Sequence, residues 1–246
     1  MPKSFKICPV RNFNVQAFSE QRTNLGQQPS FAGMDEVPTT TIRSSAGKPG
    51  FEDFTQYIIE HDRVVKMPGR YGALRFPEFT YTGTIADFFS QGRSLLLLSG
   101  KKADVLSLCV TTTKVAEFQI DTLHIDMNAL QAALPSVNLV WFKFKQGMIR
   151  ASALMGANVE KTNEFMQSKS EGEISTLSFY FEDLAGEKHP LMVVEDGTVV
   201  LQAQYPDTAT ELALVILVHE RLLTSVASRV LPKSGGKTFS VSQTPP

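Results

Sequence analysis

Short links between strand-like segments constrain the fold of this chain most strongly. Four such links contain only two residues each: Gly100-Lys101, Gln146-Gly147, Ala185-Gly186 and Asp196-Gly197. A link this short can only reverse the chain, because a crossover between parallel strands needs about a dozen residues or more. The sequence therefore predicts a mainly antiparallel sheet.

Hydrophobic alternation and helical spacing divide most of the chain into strands and helices. Strands are predicted over residues 94–99, 104–112, 115–120, 138–145, 148–155, 174–182, 189–195 and 198–203. Helices are predicted over residues 51–63, 85–89, 127–134 and 158–167. The sheet is thus expected to contain about seven or eight strands, with short helices between some of them.

A nearly continuous apolar run near the end of the chain predicts one long helix over residues 208–231. Thr208 and Glu211 have the spacing of a capping box, and Pro232 ends the run. The run becomes polar after Val218, well short of the roughly 20 apolar residues that a membrane span requires. We therefore predict an α+β fold, a partial barrel or two-layer antiparallel sheet packed by this long C-terminal helix.

Composition divides the chain into three parts. Residues 1–50 are rich in Ser, Thr, Gln, Asn, Pro and Gly and show no sustained period, so we expect a flexible N-terminal arm. Residues 233–246 have the same character and are expected to form a flexible C-terminal tail. The stretch between them, 51–232, has the length of a single α+β domain.

Charge and cysteine content narrow the class of protein. The formal net charge is −1, so binding to nucleic acid or to an anionic membrane would need a local patch. The chain has two cysteines, Cys8 and Cys109, and a structural disulfide is not expected between them. No apolar leader follows the first residues. We expect a cytoplasmic protein that does not contact a membrane.

The hairpin around residues 146–147 offers the best candidate for a binding surface. A two-residue loop there would set Lys143 directly across from Arg150, with Trp141 and Lys145 on the same face. A like-charge pair across two strands costs stability unless an anion compensates it. Basic side chains beside an exposed aromatic ring are typical of a surface that stacks single-stranded nucleic acid. The alternative is a solvated strand face whose lysine stems cover the tryptophan.

A second basic region contains Arg70 and Arg75 in a turn-rich segment with Gly69 and Gly72. Exposed backbone N–H groups next to arginine side chains suit a phosphate, so both arginines are candidate nucleic-acid contacts. The alternative is an ordinary charged loop. Adjacency of the two basic regions would strengthen the nucleic-acid hypothesis.

The sequence carries no motif that indicates an enzyme, a metal site or a cofactor. His124 lies between Asp121 and Asp126, but in an extended strand Asp121 and His124 would point to opposite faces. His219 interrupts the apolar run of the C-terminal helix and would need a hydrogen-bond partner if buried. A deep pocket lined by either histidine with nearby carboxylates would favour an enzyme.

Two hypotheses follow for a non-enzymatic binding protein. In the first, Trp141, Lys143, Lys145 and Arg150 bind single-stranded nucleic acid. In the second, the protein is a structural or adaptor subunit, and residues 1–50 mediate self-association or bind a protein partner.

Overall fold

The structure is a computed structural model that describes residues 2–18, 39–49, 53–65, 69–71, 74–76, 79–112, 115–145 and 149–230. These residues form fifteen strands and four α-helices. The strands are β1 (Lys3–Phe13), β2 (Thr40–Pro49), β3 (Phe54–Val65), β4 (Gly69–Tyr71), β5 (Leu74–Phe76), β6 (Phe79–Ser90), β7 (Leu95–Ser99), β8 (Phe118–Ile120), β9 (Thr122–Ile125), β10 (Leu139–Lys143), β11 (Ala151–Met155), β12 (Glu173–Glu182), β13 (Lys188–Val194), β14 (Thr198–Leu201) and β15 (Ala227–Val230). The helices are α1 (Lys102–Thr112), α2 (Met127–Ala133), α3 (Asn163–Glu171) and α4 (Thr208–Val218).

Eleven strands form one antiparallel sheet. Ten of them follow the order β11-β10-β12-β13-β14-β1-β7-β6-β3-β2, and β8 pairs with β1 beside this path. Two further pairs, β9 with β15 and β4 with β5, form separate two-stranded sheets. The strands are antiparallel, as predicted, although Gly100-Lys101 leads from β7 into helix α1 and not into a strand. The predicted fold class was nevertheless wrong, because the sheet has eleven strands and no single long C-terminal helix packs against it.

The predicted long helix is three elements instead of one. Helix α4 ends at Val218, a π-helical segment continues over His219–Leu223, and β15 pairs with β9. The backbone groups of Ala227–Val230 therefore find their partners on β9 and not within a helix. The N-cap is Asp207 rather than Thr208, since the Asp207 carboxylate accepts a hydrogen bond from the Thr210 N–H at 2.7 Å.

Three other predicted elements have the opposite type. Residues 104–112 lie in helix α1, where Val105, Leu108 and Cys109 are buried at helical spacing. Residues 51–63 and 85–89 were predicted as helices, but the described ones lie mainly in β3 and β6, which pair with each other along their whole lengths. Tertiary pairing thus overrides local spacing in all three places.

Strand β1 lies in the middle of the sheet, between β14 and β7. Its residues belong to the stretch that was predicted as a flexible arm, yet Phe5 and Ile7 are fully buried. Pro9 lies within the strand, and a proline normally argues against a central strand because it lacks an N–H donor. Residues 19–38 and 231–246, which include the predicted tail, lie outside the described part of the chain.

The two faces of the sheet are covered to different extents. One face packs along most of its length under side chains of α2, α3 and α4, such as Leu130, Phe165 and Val215. The other face packs under α1, but only across β1, β7, β6, β3 and β2. The outer surface of β10 to β13 is therefore not packed under any described helix, although Lys102 at the start of α1 borders it. None of the helices in the described residues is long and apolar enough to span a bilayer.

Candidate binding surface

The uncovered surface of β10, β11, β12 and β13 presents large apolar side chains to solvent. We call it the outer face. Trp141 is 43% exposed, Tyr180 54% and Met155 81%. Their neighbours along the strands, such as Val140 and Phe142, are fully buried on the opposite side of the sheet. Strict alternation of side chains along a strand produces this division.

The register between β10 and β11 differs by one residue from the predicted one. Lys143 lies opposite Ala151, and Trp141 lies opposite Ala153. The N–H of Phe144 donates to the carbonyl of Arg150 at 3.0 Å, so Arg150 is displaced from Lys143. The predicted like-charge pair does not form. The connection between Phe144 and Arg150 is longer than the two residues assumed, and loop length sets hairpin register.

The lysines of this region already have anionic partners. Lys143 forms an ion pair with Glu195, at the end of β13, and Lys145 donates to Glu173 of β12 at 2.5 Å. The hydrogen bond from Lys145 lowers the pKa of Glu173. Arg150 donates to the carbonyl oxygen of Lys145 at 3.4 Å. Carboxylates of the same sheet therefore balance the two lysines, and no bound anion is required for this purpose.

The second basic region lies far from the outer face along the sheet. Arg70 of β4 and Arg75 of β5 are directly paired in the backbone register. Their strands belong to the connection between β3 and β6, and six strands separate β3 from β10 in the sheet order. At about 4.8 Å per strand this corresponds to roughly 30 Å along the sheet. The structure does not bring Arg70 and Arg75 together with Trp141, Lys143, Lys145 and Arg150.

Two open clefts meet at Glu195. One, of about 480 Å³, includes Trp141, Lys143 and Met192 of the outer face. The other, of about 640 Å³, includes His124 and Asp126. A histidine with carboxylates in a cleft was the pattern expected of an enzyme. Here the carboxylates have structural partners, because Glu195 holds Lys143 and Asp126 accepts two backbone N–H groups at the start of α2.

His61 and His219 lie away from these clefts. His219 is partly buried, burial lowers its pKa, and its Nδ1 atom has no hydrogen-bond partner in the described residues. His61 is 1% exposed. Its Nδ1 lies 2.8 Å from the Thr40 hydroxyl and its Nε2 lies 2.9 Å from the Ser107 hydroxyl. Both ring nitrogens are engaged, so His61 joins α1 to the sheet.

Strand β11, which lies within the predicted strand 148–155, forms one edge of the sheet. Its edge position was not predicted from the sequence. Hydrogen bonds from the Phe144 N–H to Arg150 and from the Gly156 N–H to Asn138 fix which residues bond to β10. Because this pattern alternates along an antiparallel pair, Ala151, Ala153 and Met155 direct their N–H and C=O groups away from β10. Among the described residues β11 pairs only with β10. The five residues of β11 include no charge and no proline, which commonly protect an edge.

The chain matches no model of a known protein family and no curated protein. A proposal for its function rests on the outer face and on the β11 edge.

Proposed function

We propose that this protein is a non-enzymatic structural or adaptor subunit that assembles with a second copy of itself through β11. The observation that carries this proposal is the edge of Ala151–Met155, which no other described strand than β10 pairs with, and whose outward backbone groups come from three residues. Exposed edges of this kind bind another strand by main-chain hydrogen bonds. Two copies related by a two-fold axis would join their sheets into one.

The side chains of β11 suit such a pairing when the axis passes through Ala153. Ala151 then faces Met155 of the partner subunit, and Ser152 faces Leu154 of the partner subunit. A small side chain meets a larger one at each of these positions, and no like charges come together. The outward backbone groups of Ala151, Ala153 and Met155 all find partners in this register.

The outer face would continue across the junction. Trp141 lies one strand from the edge, so the two copies of Trp141 would be about 14 Å apart, at roughly 4.8 Å per strand. Tryptophan, tyrosine and methionine are enriched in protein interfaces, and the face supplies Trp141, Tyr180 and Met155. The joined face would be a larger surface for a further protein.

Sedimentation velocity and light scattering over a concentration series test the assembly. The wild-type protein should reach twice the chain mass of 27.2 kDa as concentration rises. Ala153→Pro removes an outward N–H without removing a bond to β10, so it should remain monomeric with unchanged far-ultraviolet circular dichroism. Met155→Lys places a charge at the edge and should also weaken the dimer.

Met166→Lys is the matched control for the charge. Met166 is 64% exposed and belongs to α3, not to β11, so this variant should dimerise like the wild type. A wild-type protein that stays at the monomer mass at every concentration would refute the proposal. Equal dimerisation of wild type, Ala153→Pro and Met155→Lys would also refute it, because the contact would then lie elsewhere.

A second candidate function is binding of single-stranded nucleic acid by the outer face, favoured by the exposed Trp141 ring beside Lys143. Binding would require the lysines to leave their carboxylate partners. Glu195→Gln and Glu173→Gln should therefore strengthen binding, whereas Trp141→Ala should remove it. Quenching of the single tryptophan by a thymidine oligonucleotide, repeated over a salt series, measures this. Absence of quenching at low salt in both glutamine variants would refute it.

A further inference from the structure

The turn between β12 and β13 brings together three side chains that can ligate a metal. They are Asp183, Glu187 and His189, and their ligand atoms all lie within 4.8 Å of one another. The Nε2 atom of His189 is 3.2 Å from Oδ2 of Asp183. This is the one group of three or more His, Cys, Asp or Glu side chains with that geometry in the part of the chain that the structure describes.

The local backbone builds this arrangement. Oδ1 of Asp183 accepts hydrogen bonds from the N–H groups of Ala185 and Glu187, at 2.9 and 2.8 Å. Gly186 adopts a φ of 83°, which a residue with a side chain rarely does, and this returns the chain toward Asp183. The turn therefore fixes one carboxylate oxygen and leaves Oδ2 directed at His189. The carboxylate of Glu187 lies beside Asp183 and His189.

The imidazole of His189 is held from its other side. Its Nδ1 atom lies 3.3 Å from the hydroxyl of Tyr205, and the residue is 9% exposed. Metal-binding histidines commonly use one ring nitrogen for the metal and hydrogen bond the other to a group that fixes the ring. Tyr205 occupies this outer position. Nothing else in the described residues hydrogen bonds to Nε2 apart from Asp183.

We propose that Asp183, Glu187 and His189 bind a divalent ion of the zinc class. Oxygen and nitrogen ligands about 2.0–2.1 Å from a tetrahedral zinc ion lie roughly 3.4 Å from each other, close to the spacing of Nε2 and Oδ2 here. A nitrogen ligand favours Zn²⁺ over Mg²⁺ and Ca²⁺, which prefer oxygen alone. Three protein ligands leave the fourth position to water. This proposal is independent of self-association.

The alternative is that Asp183 and His189 form a simple hydrogen-bonded pair across the turn. That pair does not require Glu187, whereas a three-ligand site does. Glu187 therefore distinguishes the two.

Competition with a chromophoric zinc chelator measures the binding. The full-length protein should take up one Zn²⁺ per chain, and Mg²⁺ at the same concentration should not displace it. Glu187→Gln, which changes one oxygen of an exposed side chain, should weaken Zn²⁺ binding by about 10-fold or more. His189→Gln should weaken it further. Tyr205→Phe should weaken it by about 10-fold if the hydroxyl orients the ring.

His124→Gln is the matched control, because His124 is exposed on β9 and belongs to no such cluster of ligands among the described residues. It should bind Zn²⁺ like the wild type. His189 is buried, so Glu187→Gln decides the outcome if His189→Gln fails to fold. Absence of stoichiometric Zn²⁺ uptake by the wild type would overturn the proposal. Unchanged affinity in Glu187→Gln, or an equal loss in His124→Gln, would overturn it as well.

Discussion

His61 should make the stability of this protein depend on pH. The side chain lies between β3 and α1, hydrogen bonded to Thr40 and Ser107. Burial lowers its pKa from 6.5 to about 4, and the nearby carboxylates of Asp62 and Asp104 only partly offset this. The folded state therefore holds His61 neutral at pH values where the unfolded chain would protonate it.

The sign and the size of the pH effect on stability follow from the difference between the pKa of His61 in the folded and unfolded states. Between pH 6.5 and about 4 the unfolded state binds one more proton at this site than the folded state does. The contribution of His61 to the free energy of unfolding is complete above pH 6.5 and is lost as the pH falls through this window. The difference in pKa corresponds to roughly 3 kcal/mol, or about 1.4 kcal/mol for each pH unit.

Urea denaturation followed by circular dichroism, at several pH values in this window, measures the effect. His61→Gln should remove the pH-dependent contribution of this side chain to the free energy of unfolding. The difference in stability between wild type and variant should therefore shrink by roughly 3 kcal/mol toward pH 4. Asp87, whose pKa is raised by burial, and His219, whose pKa is lowered, are present in both proteins and cancel in the difference. His124→Gln, an exposed control, should run parallel to the wild type. A difference between wild type and His61→Gln that stays constant over the window would refute the reasoning.

Two further predictions concern the backbone. Gly197 has a φ of 79°, and an added Cβ would lie 2.7 Å from Cβ of Leu123, so Gly197→Ala should lower the free energy of unfolding by about 2 kcal/mol or more. Gly186→Ala, with a φ of 83° and open space, should cost less, and equal losses would contradict the clash. Asp207→Ala should cost about 1 kcal/mol by removing the cap of α4, whereas Thr208→Ala should stay within about 0.5 kcal/mol. Urea denaturation measures all four variants. A larger loss of stability in Thr208→Ala than in Asp207→Ala would show that Thr208 is the cap, as the predicted capping box requires.

Local signals predicted the elements whose causes are local. The turns at Ala185-Gly186 and Asp196-Gly197 are present, and Gly186 and Gly197 have the positive φ that such turns use. Helix α2 begins after Asp126, whose carboxylate accepts from two backbone N–H groups as expected of a cap. These features depend on a few neighbouring residues. A single sequence contains all the information that they need.

Elements set by distant partners could not be predicted in the same way. Residues 3–13 form a central strand because β14 and β7, far along the chain, pair with both of its sides. Residues 104–112 suit either a helix or a strand by apolar content, and their packing against Ile59 and Ile85 decides for the helix. The average composition of residues 1–50 is polar, so it did not indicate the apolar residues that β1 buries.

The candidate surface shows the same limit. The basic character of Lys143 and Lys145 is visible in the sequence, but Glu195 and Glu173, which neutralise them, come from other strands. The register that places Trp141 beside Ala153 depends on a loop whose length was assumed. A one-residue slip changes every cross-strand pair, so the predicted Lys143 and Arg150 pair was lost with it.

The two proposed sites lie on different strands of the same sheet and can fail separately. Alternation along β13 directs His189 to the covered side of the sheet and Met192 to the outer face. The turn that carries Glu187 lies at the end of the β12–β13 hairpin, whereas the β11 edge lies beyond β10 on the other side of β12. Ala153→Pro should therefore keep Zn²⁺ binding, and Glu187→Gln should keep dimerisation. If Ala153→Pro abolished both, it would have damaged the sheet itself, and only Met155→Lys could then be used to judge the edge.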